Sequence, residues 1–372
     1  MFVCPADEAS FDCVRRNKRS SLRSGRIKEL MRVTRESLIR IAKETAQERA
    51  FNDRDIIAAY LTGSLVSKET DPMLGGTADI DIIFVHKDEP KHRREFVKLT
   101  PDFHVDIGHR AKAEFKRPRE LRLDPWLGWE MYDPMLLYER EKFFEFVQAG
   151  LRAGFEFNAP APALQRSRIL LKDARGMWRG LLEIEDVVTP KDVLQYMNSL
   201  YHAINAVAEL SGPPLAERRV MLDFASRAET ASRPGMDAAL VGLMGASALD
   251  SSKLEAWMPE WKSAFEAAMQ NNRVDVSIHA ARVNYYEKAF AAMLGSDKPV
   301  CVLWPLFHTW TLAADVLPDD ALEAWRSACG ELGLGWVGFD QRVSGLDHFL
   351  DEVEALLDEL AAQNGLETST SL

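Results

Sequence analysis

Asp79-Ile80-Asp81-Ile82-Ile83-Phe84-Val85 is a β-forming run that carries two carboxylates two positions apart. Side chains alternate across a strand, so Asp79 and Asp81 emerge on one face while Ile80, Ile82 and Phe84 point to the other. Two neighbouring carboxylates repel and resist full ionisation. A divalent cation removes that objection, because Mg2+ prefers hard oxygen ligands from one or two carboxylates together with substrate phosphates.

The alternation recurs in Phe103-His104-Val105-Asp106-Ile107, with Phe103, Val105 and Ile107 on one side and Asp106 on the other. If this strand pairs beside the first, three carboxylates converge on one cleft. That is the arrangement of a two-metal site, with ions ~3.5–4 Å apart. Two Mg2+ ions are the expected cofactors, with Mn2+ as the substitute. His104 should share the face of Asp106 and is a further candidate for contact with a nucleotide. Upstream, the apolar run at residues 56–61 ends at Gly63-Ser64. Glycine there permits close backbone approach, and the serine hydroxyl and exposed amides can hold phosphate oxygens.

In this order the residues resemble the nucleotidyltransferases of the DNA polymerase beta superfamily. The motif reads Thr62-Gly63-Ser64, fourteen intervening residues, Asp79-Ile80-Asp81, then Val105-Asp106-Ile107. The resemblance spans roughly residues 50 to 110 and is similar in layout to the antibiotic nucleotidyltransferases, a small α/β domain followed by a helical one. The chain departs from the pattern at Lys68 and Thr77-Ala78-Asp79, so residues 67–76 form a divergent loop. The resemblance implies that Gly63 and Ser64 cradle nucleotide phosphates and that Asp79 and Asp81 bind metal. Asp106 would complete the site as metal ligand or as the base that activates an acceptor. The expected reaction is attack by an acceptor hydroxyl on the α-phosphorus of a nucleoside triphosphate, with ATP as the favoured donor and a small molecule as the favoured acceptor. An inactive binding module of the same fold and an RNA- or protein-modifying enzyme are the alternatives.

The rest of the sequence sets bounds. A length of 372 residues suits two or three domains. With 47% hydrophobic and 28% charged residues, and no apolar run near the ~20 residues needed to cross a bilayer, membrane insertion is not expected. The net charge of −11 disfavours a long nucleic acid as partner, since such binders neutralise phosphates with a basic face. Against that trend, Arg15, Arg16, Lys18, Arg19, Arg23, Arg26 and Lys28 make a basic leader with no apolar segment after it. Cys4, Cys13, Cys301 and Cys329 lack metal-site spacing and read as free thiols of a reducing cytoplasm.

The reading is an α+β chain, with a basic, poorly ordered leader at 1–26 and a small mixed-sheet nucleotidyltransferase domain at 27–118. A helical region at 119–364 and a disordered tail at 365–372 follow. The first domain opens on a helix at 27–48 with Ile27, Leu30, Met31, Leu38, Ile41 and Ala42 on one stripe. Beyond Pro118 strand signals are scarce, and helices are expected at 164–182, 190–211, 252–271, 277–294 and 339–363. Residues 299–306 fit either a strand or a buried helix. Lys172 and Arg168, on the first of these helices, are candidates to reach across to the phosphates. Trp257, Trp261 and Phe265 follow i, i+4, i+8 spacing and read as core, while Arg342 and His348 lie too far apart around their helix to act together.

Overall fold

The computed structural model describes residues 34–66, 79–154, 159–184 and 187–368. The chain divides into two compact units, Met1–Ile41 and Ala42–Leu372. In the first, the described residues begin helix α1 (Arg35–Asn52), capped where the Ser37 amide donates to Thr34 Oγ1 at 3.2 Å and the Thr34 amide to Ser37 Oγ at 3.0 Å. The basic leader and the divergent loop lie outside the described residues, as do Cys4, Cys13 and the end of the tail.

The second unit is an α+β structure. Among the described residues, five strands form one mixed sheet: β1 (Ile56–Thr62), β2 (Ile80–His86), β3 (Arg94–Lys98), β4 (His104–Ala111) and β5 (Met135–Glu139), in the order β3-β4-β2-β1-β5. Central β2 is apolar because it is covered on both faces, and Ile80, Ile82, Phe84 and Val85 are all fully buried. It runs antiparallel to β1 and parallel to β4, with Thr62 opposite Asp81 on one side and Asp106 opposite Asp81 on the other. A parallel neighbour needs a crossover connection. Here that connection carries β3, which pairs antiparallel with the outer side of β4. The sheet also takes its edge strand β5 from beyond Pro118, where strand signals are scarce. Helix α2 (Phe143–Arg152) follows and buries Phe144, Val147 and Leu151, one stripe at helical spacing, with Ile57, Tyr60 and Val85 of the sheet.

From Pro160 onward the described chain is helical. Its framework is α3 (Pro160–Leu181), α4 (Pro190–Ala208), α5 (Val220–Thr230), α6 (Met236–Leu243), α7 (Ser251–Ala268), α8 (Val283–Leu294), α9 (Leu303–Ala314), α10 (Glu323–Leu332) and α11 (Phe339–Gln363). Their starts are written locally. Thr189 and Asp192 form a reciprocal cap ahead of α4, with Pro190 at its first position, and Asp250 accepts from the Lys253 amide at the start of α7. Residues 299–306 resolve as a 3-10 turn (Pro299–Val302) leading into α9. Trp257, Trp261 and Phe265 are buried in the helical core with Trp304, Phe307 and Trp310. Cys301 and Cys329 are buried free thiols. Among the described residues no helix is long and apolar enough to cross a membrane.

Candidate active site

Parallel pairing of β2 with β4 brings the three acids together. Residues opposite one another in a parallel ladder point to the same face, so Asp81 and Asp106 stand side by side. Asp79 lies two positions before Asp81, just ahead of β2, and shares that face. One carboxylate oxygen from each lies within 4.8 Å of the others, close enough to share a metal ion. Asp79 and Asp106 are buried and Asp81 is partly so.

Gly63 completes this side. Its φ of +70° lies in the left-handed region, and a Cβ built on it would stand 1.9 Å from Asp81 Oδ2. The turn therefore presses its backbone onto the carboxylate, and only a residue without a side chain fits. Gly63→Ala is expected to cost about 2 kcal/mol of stability, from the left-handed backbone together with the clash. Urea unfolding of the two proteins checks this, and equal stabilities would contradict the packing described.

The carboxylates share one cleft, of ≈ 1030 Å3, whose lining includes Thr62, Gly63, Ser64, the three aspartates and Arg94, together with Arg218, Arg282 and Tyr285 of the helical half. Asp106 accepts from Arg94 Nε at 2.9 Å and from Nη2 at 2.5 Å. Asp79 faces Arg218 Nη2 at 3.9 Å, and the Tyr285 hydroxyl also helps to hold its carboxyl low. The two acids of the Asp-x-Asp pair are driven apart. Burial alone would raise Asp79, but the guanidiniums of Arg218 and Arg282 outweigh it and hold its pKa below the usual value. Asp81 is raised well above its ordinary value by burial, then by the charges of Asp79 and Asp106.

His104 shares the face of Asp106, as the alternation predicts, but does not line the cleft. Its ring is fully buried, edge-on to Phe96 and Tyr285, and burial pushes its pKa down to about 4. The imidazole packs between Phe96 and Tyr285 and is not part of the cleft's lining.

The helical candidates are not brought to the site. Lys172 is exposed and lines a separate hollow with Asp173, Arg179 and Gln195. Arg168 pairs with Asp358 of α11 at 3.2 Å. The inward face of α3 instead turns Arg166 and Leu170 toward the interior. The basic groups that do reach the acids come from elsewhere. Arg94 sits on β3, a strand with charged ends, and Arg218 and Arg282 precede helices more than a hundred residues downstream. Arg282 is only 7% exposed and stands over the rings of Phe96, Tyr285 and Tyr286 at 4.9, 5.5 and 4.7 Å. Nothing local in the sequence announces these long-range approaches.

The chain matches no protein-family model and no curated protein. Among solved structures it is similar to a nucleotidyltransferase-like protein from Exiguobacterium sibiricum 255-15, at 10% identity over 90% of this chain and 96% of that one. The TM-score is 0.27, too loose a superposition to carry inference.

Proposed function

We propose that the chain is a metal-dependent nucleotidyltransferase that moves a nucleoside monophosphate from a nucleoside triphosphate, by preference ATP, to the hydroxyl of a small acceptor. The observation that carries this reading is the convergence of Asp79, Asp81 and Asp106 beside the Gly63 turn. The donor set is oxygen only, which suits hard cations such as Mg2+ or Mn2+, and a cation there would offset the repulsion from Asp79 and Asp106 that raises Asp81. Bound there, such ions would offset the charge of the phosphates and stabilise the leaving group.

The protein's own groups divide the remaining work. Gly63 and Ser64 would cradle the phosphates from below, and the three aspartates would fix the metal. In the transfer a bond forms between the acceptor oxygen and the α-phosphorus, the bond from that phosphorus to the bridging oxygen breaks, and pyrophosphate leaves. The hydroxyl proton goes to Asp106. A cleft of ≈ 1030 Å3 accommodates a nucleotide with a small acceptor, and Glu217, Asp223 and Asp275 on its walls suit an acceptor that is cationic or rich in hydroxyls.

Calorimetry of each nucleoside triphosphate, with and without Mg2+, tests this reading. The wild type is expected to bind at least one triphosphate only when Mg2+ is present, and Asp79→Ala/Asp81→Ala to lose that binding. Magnesium-independent binding, or none, would remove the proposal.

A further inference from the structure

The far ends of β2 and β4 carry a second polar cluster, outside the cleft. His86 closes β2, and His109 of β4 lies diagonally across from it, with His86 Nε2 and His109 Nδ1 2.8 Å apart. The outer nitrogen of each ring meets a carboxylate: His86 Nδ1 lies 3.2 Å from Asp55 Oδ2, and His109 Nε2 lies 3.1 Å from Glu95 Oε1. Arg49 of α1 donates to the same Glu95 oxygen at 2.5 Å, and the Asp88 amide donates to Asp55 Oδ1 at 3.3 Å.

The two rings face each other head-on. Their centroids are 5.1 Å apart, the largest separation that a 2.8 Å contact between imidazole nitrogens permits, so both nitrogens lie on the line joining the rings. That is the geometry of an N–H···N hydrogen bond. A zinc ion ~2.0–2.1 Å from each nitrogen would hold such nitrogens about 4 Å apart, so a proton and not a metal ion fits the gap.

The number of protons fixes the charge. Two neutral imidazoles bring one N–H each, and an ionised carboxylate only accepts. From Asp55 through His86 and His109 to Glu95 there are three contacts, and each needs a proton on a ring nitrogen. With two protons, one contact would set acceptor against acceptor beside imidazoles only 9% and 11% exposed, where water gives little relief. A third proton closes all three and makes the pair a monocation. Among the described residues, the charged groups that face it are Asp55, Glu95 and Arg49, and their charges together with the monocation cancel. Arg93 and Arg110, nearby on the same strands, are turned to Glu89, Glu114 and Glu130. Burial above all holds the pKa of His109 below its ordinary value, so His109 is the neutral acceptor and His86 carries a hydrogen on both nitrogens.

We infer that His86 and His109 form a pH-sensitive latch, in which one proton beyond the neutral state of the pair ties Asp55, ahead of β1, to Glu95 of β3 and through it to Arg49 of α1. Without that proton His86 Nδ1 faces Asp55 with no hydrogen between them, and that end of the latch opens. The sign of the effect differs on the two sides of neutrality. In acid the unfolded chain protonates both imidazoles while the folded pair has room for one, so stability falls as pH falls. In alkali the folded pair keeps a proton that the unfolded chain has lost, so stability falls as pH rises. The latch is independent of the chemistry proposed for the cleft.

The test uses the full chain with isotopically labelled histidine, its ring nitrogens followed by NMR at neutral pH, beside melting curves from acid to alkali. Loss of signals in His86→Gln and in His109→Gln assigns the two rings. Wild type is expected to show both nitrogens of His86 protonated, Nε2 alone of His109 protonated, and a coupling across the shared N–H···N bond. Asp55→Asn offers an amide hydrogen to His86 Nδ1 while its oxygen still accepts from Asp88, so every contact closes with two neutral rings. In that variant His86 Nδ1 should lose its proton, the coupling between the rings should remain, and the alkaline fall in stability should be smaller by one bound proton. One N–H on each ring of the wild type at neutral pH overturns the inference whatever the variants do. An alkaline fall in folded Asp55→Asn equal to that of wild type overturns it as well.

Discussion

Asp81→Asn is expected to reduce the proposed nucleotidyl transfer by about 10^3-fold or more, equivalent to ~4 kcal/mol of transition-state stabilisation, because it removes the central one of the proposed metal ligands. The same change should raise the stability of the metal-free protein. Asp81 lies between Asp79 and Asp106, and its pKa is raised well above the ordinary value by burial and by those two charges. A carboxyl with a raised folded pKa lends stability below its unfolded pKa, and that contribution disappears as pH climbs through the folded value. The stability advantage of Asp81→Asn over wild type is therefore absent in acid and grows toward neutral and alkaline pH. Mg2+ should narrow the gap by stabilising only the wild type. Melting curves across pH, with and without Mg2+, together with pyrophosphate release, measure all of this. An active Asp81→Asn protein would sink the assignment.

Arg166→Met is expected to cost about 3–5 kcal/mol of stability, the largest effect outside the cleft. Arg166 on α3 and Glu209 at the end of α4 are 1% and 0% exposed at their side chains and lie 2.9 Å apart. The same Glu209 oxygen accepts from Trp129 Nε1 at 2.8 Å, and Arg166 Nη1 donates to the Arg122 carbonyl at 3.1 Å. Removing the guanidinium strands a buried carboxylate whose pKa burial already raises to about 7. Replacing both partners, Arg166→Met/Glu209→Leu, should recover most of the loss, since the penalty lies in the uncompensated charge. Urea unfolding reads the difference. A loss below about 1 kcal/mol in Arg166→Met would show that the pair is not the tie between the Trp129 segment and the helices.

The acids of the cleft could be read from sequence because Asp81 and Asp106 alternate with apolar neighbours in their strands and Asp79 continues the first alternation just ahead of β2. Asp79-Ile80-Asp81 and Val105-Asp106-Ile107 declare both a buried face and a polar one, and only the pairing of the two strands had to be supplied. Strand β3 escaped notice because Arg94, Glu95 and Lys98 mask its period with charge, as suits an exposed edge. Strand β5 was hidden by its place after Pro118, inside a stretch of helical composition. The long helices were legible as apolar stretches set off by proline and glycine, although the one expected at 277–294 begins only at Val283. Lys172 and Arg168 misled because a cation on an amphipathic helix says nothing about which neighbour its face meets, whereas Arg218 and Arg282 reach the acids through tertiary packing alone.

The in-register parallel ladder joining β2 to β4 ties chemistry to folding. Sliding β4 by a single position would rotate Asp106 underneath the sheet and lift Val105 or Ile107 into the water-filled side, so one error would both unmake the triad and tear the apolar layer. Mispaired molecules are therefore unstable as well as lacking the triad, and the fold proofreads the geometry of its own acidic cluster.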